Sequence, residues 1–300
     1  MKKAGVLILS TVVCALLCGH AEAQAPAGSA PAANEEATGM TLNTSFNGSI
    51  DSGSHVYDWT TTTGYILNKH FSTDLGVPFL FVRGADSAGT TTSNSGLGNV
   101  FGQLQFADKN PVVNFGAVGT VALPTGDSSK GLSTGHVTFD LTGQLAKELG
   151  RFTPFVSAGI GNSLFDSRYW QRPYMTFGDL AHFEGGTSFD LGLSLTVSAS
   201  LYDVAPWGSQ KIYSKLVRKG TSGGGTASHG RLYQNNAITS GDSSIDKDNG
   251  INADLDFNPW KYVDFDFAYT HSVHFQLDTL SFGVGLNLSS LLRRGGSSKL

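Results

Sequence analysis

From residue 41 to about residue 289, hydrophobic and polar positions alternate with a period of two. Val137, Phe139, Leu141, Gly143 and Leu145 share one face, and His136, Thr138, Asp140, Thr142 and Gln144 share the other. The same dyad runs through 189–201, 251–257, 263–269 and 280–288. A helix repeats every ~3.6 residues and cannot hold this pattern for so long. Each segment therefore predicts a strand with one apolar and one polar face.

The connections alternate as well. Short ones at 68–70, 108–111, 149–151 and 258–261 are rich in turn-forming residues. Between them lie longer polar links at 48–54, 84–96, 124–135, 166–173 and 205–249. Tight turns at one end and long loops at the other are the asymmetry of an outer-membrane barrel. The predicted strands are 41–47, 55–67, 71–83, 97–107, 112–123, 136–147, 152–165, 174–190, 192–204, 250–257, 261–270 and 277–289. The alternation passes unbroken through Leu191, so one long strand there would leave ten strands instead of twelve.

The expected fold is all-β: an antiparallel up-and-down transmembrane barrel of about twelve strands. A soluble two-sheet sandwich also alternates, with its apolar side inside. Strand length and the Gly, Ser, Thr, Asn and Asp content of the polar faces favour the barrel. Tyr57, Trp59, Tyr169, Trp170, Tyr174, Trp207, Trp260 and Tyr262 fall near strand ends, where interfacial aromatic girdles form.

The first residues change the compartment. Lys2 and Lys3 precede an apolar run from Val6 to Cys18, and Ala21-Glu22-Ala23 offers a small-x-small cleavage site. Residues 1–23 read as a signal peptide, 24–40 as a flexible Ala/Pro-rich periplasmic leader, 41–289 as the barrel and 290–300 as a tail. Both cysteines, Cys14 and Cys18, lie inside the signal, so the mature chain has no disulfide or thiolate chemistry. Charged residues make up only 15%, and the net charge of −4 gives no general attraction to nucleic acid.

Two motifs add a resemblance. Gly96-Leu97-Gly98-Asn99 opens one strand, and Leu123-Pro124-Thr125-Gly126-Asp127 closes a later one before a Gly/Ser-rich loop. Together they resemble the family labelled MetA-pathway of phenol degradation, in which Asp often stands at the position of Asn99. The resemblance implies an outer-membrane transporter barrel passing small, even aromatic, molecules, and it implies no catalytic residues. Read on its own, Pro124, Thr125, Gly126 and Asp127 form a turn: Pro sets φ, Gly permits positive φ, and Asp bonds nearby backbone.

Candidate chemistry is sparse. Asp242, Asp246, Asp248, Asn249, Asn252 and Asp254 do not match the spacing of a calcium loop. His271 and His274 would need a turn to share a metal. No nucleophile motif supports a catalytic triad. Neither cofactor nor metal is expected, and the expectation is not an enzyme.

The acidic residues of the last strands are more informative. A turn at 258–261 would set Asp254 opposite Asp264 and Asn252 opposite Asp266, with Asp256 on the same inward face. Like charges across a ladder repel. Either they form a cation-favouring constriction, or they belong to an interior network balanced by groups such as Arg83 and Lys147. The loop 205–249, with Lys211, Lys215, Arg218 and Lys219, reads as a lid or inward plug, or as a segment lying on lipopolysaccharide phosphates.

The expected function is passive passage of small solutes across the outer membrane. The other readings are a structural or adhesive barrel and an outer-membrane lipid hydrolase. Expected partners are membrane lipid, lipopolysaccharide, the solute, and the barrel assembly machinery, for which Phe282–Leu288 is the candidate signal. No nucleic acid is expected, and the oligomeric state has no sequence signal.

Overall fold

A computed structural model describes residues 38–51, 54–85, 91–165, 175–218, 231–260 and 262–289. The expected signal peptide, residues 24–37 of the leader and the tail 290–300 lie outside the described residues, as do Tyr169, Trp170 and Tyr174. Sixteen strands are present among the described residues: β1 (Gly39–Ile50), β2 (Ser54–Ile66), β3 (Phe71–Ala85), β4 (Thr91–Leu97), β5 (Val100–Asp108), β6 (Asn114–Leu123), β7 (Thr138–Ala146), β8 (Phe152–Gly161), β9 (Met175–Phe177), β10 (Leu180–Gly192), β11 (Leu195–Pro206), β12 (Gln210–Arg218), β13 (Arg231–Gly241), β14 (Asp248–Trp260), β15 (Val263–Ser272) and β16 (Leu277–Asn287).

The wall is antiparallel and closed. It runs β1-β2-β3-(β4/β5)-β6-β7-β8-β10-β11-β14-β15-β16 and returns to β1 through the β1–β16 pair, from Asn43↔Asn287 to Ile50↔Leu280. β4 and β5 occupy one wall position end to end, both pairing with β3, so twelve strands close the barrel. Closure satisfies the backbone groups of the wall without any edge inside the membrane.

The twelve-strand count turns on one hairpin. β10 and β11 meet at Leu193 (φ 55°) and Ser194 (φ 62°), a two-residue turn with both residues left-handed. That geometry matches the twist of the flanking strands, and the bulge between Asp190 and Gly192 shifts the pairing by one residue and so keeps their alternation in phase. The signal was invisible because neither residue is Gly or Asn.

Three other expectations shift. The predicted strand 174–190 is broken at Gly178 (φ 156°), because the buried Gln210 side chain fills the space a Cβ would take. The predicted link 84–96 is partly strand, since β4 extends the β3 hairpin above β5. The predicted loop 205–249 folds into β12 and β13, which join β9 in a separate three-stranded sheet.

Burial is inverted relative to a soluble protein. Leu75, Val77, Phe79, Leu104, Leu141, Leu145, Val156, Ile160, Phe183, Leu201, Phe267 and Leu280 are all exposed on the outward face. Thr60, Gln103, Thr120, Gln144, Asn252, Asp256 and Asp266 are buried on the inward face. A sandwich would do the reverse, and a soluble monomer does not expose so continuous an apolar band. Aromatic groups gather toward the strand ends of this band. Phe71, Phe106 and Phe115 pack in series at the turn end of β3, β5 and β6. Trp260 stacks with Tyr262, and Phe46, Tyr57 and Phe282 crowd around Gly48.

Candidate conduit and its plug

The inward wall is acidic. Alternation within each strand turns Asp58, Asp74, Asp140, Glu184, Asp248, Asp254, Asp256, Asp264 and Asp266 toward the interior. In the twelve wall strands Arg83 is the single lysine or arginine, and it stands on the outward, exposed side of β3 with Phe79 and Phe81. Lys147 lies exposed in the β7–β8 turn. Neither therefore balances the interior charge, as the sequence had allowed. The inward-facing basic group of the wall is His182. Its Nε2 lies 2.9 Å from Asp140 Oδ1, and the Thr142 hydroxyl donates to Asp140 Oδ2 at 2.6 Å. Gly159 leaves room for the imidazole, since any Cβ there would meet the ring.

Asp254, Asp256, Asp264 and Asp266 lie on the inward face, in a register other than the expected one. Asp256 faces Asp266, while Asp254 faces Ala268 and Asn252 faces Thr270. Asp264 pairs with Gly285 on the other neighbour, β16. The cause is at the turn: β14 continues to Trp260, and a bulge between Phe257 and Trp260 absorbs the extra residues. The partner of Asp254 thus moves by an even number of residues, which preserves every inward and outward assignment.

A lateral row follows. Asp58 pairs with Asn47, Asn47 with Gly283, Gly283 with Asp266, Asp266 with Asp256, and Asp256 with Thr196. Gly283 is required here. A Cβ would collide with Asp266 Oδ1 and with Asn47 Oδ1, which lie over its backbone.

Beside this row the interior turns apolar, for Asp58 pairs directly with Leu80. Leu80, Val82, Leu132, Ile212, Phe275 and Leu277 form one buried cluster, bordered by Val56, Met175 and Ile245. Val56, Leu80, Val82 and Leu277 are inward positions of β2, β3 and β16, whereas Met175 and Ile212 belong to the β9–β12–β13 sheet. That sheet therefore packs against inward-facing positions of the wall and is called the plug. Two buried polar residues hold its ends. Gln210 Nε2 donates to the carbonyls of Trp207 (2.7 Å) and Asp179 (3.0 Å). Asp248 accepts from the Tyr202 hydroxyl (3.1 Å) and from Ser272 Oγ. Asp242 caps the 3-10 turn Ser243–Ile245, and the Ser244 hydroxyl holds its carboxyl below the usual carboxylate range.

Of the other candidates, His271 Nδ1 lies 2.8 Å from Asp278 Oδ1 on the outward face, and His274 packs edge-on against Phe275. The structure does not bring these two histidines to a common site.

The two motif pieces do come together. Thr125 Oγ1 donates to Gly98 O (2.7 Å) and accepts from Val100 N (2.9 Å), spanning the break between β4 and β5. Gly126 approaches the carbonyls of Leu97 and Leu132 so closely that a Cβ would clash. Asp127 accepts from Ser129 N (2.9 Å) and Oγ (2.6 Å), and Lys130 lies 3.6 Å away. The Ser129 hydroxyl and Lys130 hold the Asp127 carboxyl below its ordinary range. Leu132, at the end of this loop, is a member of the plug cluster.

A closed barrel with a polar interior and an apolar exterior defines a transmembrane β-barrel of the outer-membrane kind. Residues 28–157 match the family model described as MetA-pathway of phenol degradation, a stretch containing both motifs. Among solved structures, the COG4313 outer membrane channel from Pseudomonas putida F1 aligns with a TM-score of 0.53 at 10% identity, over 85% of this chain and 97% of that one. The NanC porin aligns with a TM-score of 0.45 at 9% identity, over 81% and 99%. No curated protein matches the sequence.

Proposed function

We propose that this barrel is an outer-membrane conduit for small solutes, closed at its mouth by the β9–β12–β13 plug and selective for cations over anions. The observation that carries this reading is the inward wall. It sets carboxylates on six of its strands, and its strands carry no inward lysine or arginine. A ring of acidic side chains in a confined interior concentrates cations and repels anions. The family description links the matched segment to phenol degradation, so aromatic solutes are the class to try first. The same reading lays the outward band against lipid and lipopolysaccharide and sends the chain through the barrel assembly machinery. Cleavage after residue 23, a leader to residue 40 and a tail from residue 290 complete it.

Single-channel recording on refolded protein tests the proposal. The full chain should show low, cation-favouring conductance, and deletion of 210–241 should raise it several-fold. If neither form conducts, the barrel is a structural or adhesive element. A lipid-hydrolysis assay on the same preparation should stay blank.

A further inference from the structure

We infer that the outward wall holds a site for one phospholipid of the periplasmic leaflet, its acyl chain lying in a groove across β6, β7, β8, β10 and β11 and its phosphate at Lys147. The site rests on the outward band meeting lipid and is independent of conduction. The groove holds about 640 Å³ and is almost wholly apolar. Its floor is Gly143, Ala158 and Gly185, outward positions with next to no side chain. A Cβ on Gly143 would meet nothing within 4 Å, and one on Gly185 would meet a Val156 methyl at 3.8 Å. One cross-strand row forms its lower side: Phe115 pairs with Leu145, Leu145 with Val156, Val156 with Gly185, and Gly185 with Leu201. Phe115 and Leu145 stand at the turn end of β6 and β7, whereas Gly185 and Leu201 lie midway along β10 and β11. The groove therefore climbs the wall from the short turns, which mark the periplasmic side.

An unfilled groove in hydrocarbon forfeits dispersion contacts along its floor. A second barrel presents a convex wall of its own and cannot reach that floor, but a single acyl chain can. Four strand-to-strand steps of about 4.8 Å make the groove about 19 Å long, and the chain of one leaflet spans about half of a ~30 Å hydrocarbon core. The headgroup end carries the charge. Lys147 continues β7 by one residue, its amide donating to Pro154 O at 3.1 Å, so alternation puts its side chain on the outward face below Leu145. Nearby Lys109 is already held by Glu148 at 2.9 Å. A lysine at a strand end reaches the headgroup level along its apolar stem and pairs there with a phosphate. On the outward face the acidic lining residue is Asp203 of β11, at the far, upper end of the groove. Phosphatidylglycerol, with one net negative charge, therefore fits better than phosphatidylethanolamine, whose ammonium would lie beside Lys147.

The test is native mass spectrometry of the full, refolded chain in detergent, titrated with dipalmitoylphosphatidylglycerol, its phosphatidylethanolamine counterpart and chainless glycerol phosphate. Phosphatidylglycerol should fill one site saturably, at least fivefold more tightly than phosphatidylethanolamine, and glycerol phosphate should not bind. Lys147→Gln should erase the headgroup preference. Gly143→Leu fills the floor and should weaken both lipids at least tenfold. Lys147→Gln, at an exposed turn, carries the test if Gly143→Leu fails to refold. Lipid uptake that never saturates, wild-type binding by either folded variant, or glycerol phosphate binding as tightly as the lipid overturns the site. A dimer that Gly143→Leu abolishes makes the groove a self-association face and overturns it too. A barrel that holds the lipid without conducting keeps the site and loses the conduit; one that conducts without holding it does the opposite.

Discussion

The hydroxyl of Thr125 lies 2.7 Å from the carbonyl of Gly98, joining the end of β6 to the break between β4 and β5. The same hydroxyl accepts from the amide of Val100 at 2.9 Å. Two glycine-containing motifs, separated by a whole hairpin in sequence, are therefore halves of one joint. Their glycines supply close approach and Thr125 supplies the bond.

Replacing Thr125 by Val keeps the shape and removes both bonds. The expected loss is about 1–2 kcal/mol, at the lower end because the site is partly solvated. Urea unfolding in lipid vesicles should show an earlier midpoint with an unchanged slope.

Gly283→Ala should be more damaging. The new methyl group would meet Asp266 and Asn47 on adjacent strands, and both would have to move. A cost of about 1–3 kcal/mol is expected for such overpacking. Gly143→Ala is the control, because its Cβ would point into open space. Unfolding midpoints of the two variants should differ clearly.

Asp256 and Asp266 stand directly opposite one another, so removing one charge relieves a repulsion. Asp256→Asn should lower the cation-to-anion permeability ratio and leave stability equal or higher. An unchanged reversal potential in a salt gradient would remove the row from any role in selectivity.

Val82 belongs to the apolar seat of the plug and is 4% exposed. Val82→Asn puts an amide where the seat has apolar neighbours, at a cost of about 1–3 kcal/mol. The plug should bear that cost by leaving its seat more often. More frequent openings in single-channel records, with the closed-wall midpoint little changed, are the expected signature.

Acidification should loosen the 124–135 loop. Asp127 has a folded-state carboxyl below its ordinary value of 3.8, owing first to the Ser129 hydroxyl. A depressed carboxylate contributes stability above the unfolded value and loses it as pH falls through the folded one. Proteolysis at this loop should be slow from neutral pH down to about 5 and should rise below about 4, following the ordinary carboxylate range. Asp127→Asn should flatten that dependence.

Most of the wall was legible because a lipid-facing barrel writes its alternation on every strand. The register at Asp254 was not, since a bulge beside Trp260 leaves no mark in a dyad pattern. The left-handed turn at Leu193–Ser194 lacked its usual Gly or Asn. The plug seat had a signal that alternation alone passes over: Val77-Pro78-Phe79-Leu80-Phe81-Val82 is apolar on both faces. In a barrel whose interior is otherwise polar, such a run means that something greasy lies inside.

The strands differ widely in length, and this gives the wall unequal sides. β3 has 15 residues and β7 has nine, so at ~3.3 Å per residue they reach about 50 Å and about 30 Å. β13 leans on β3 and β4, the tall flank. The three strands of its sheet are tethered by short links to β10, β11 and β14, so the sheet spans the mouth from a fixed edge to the tall flank, as a drawbridge rests on the far bank.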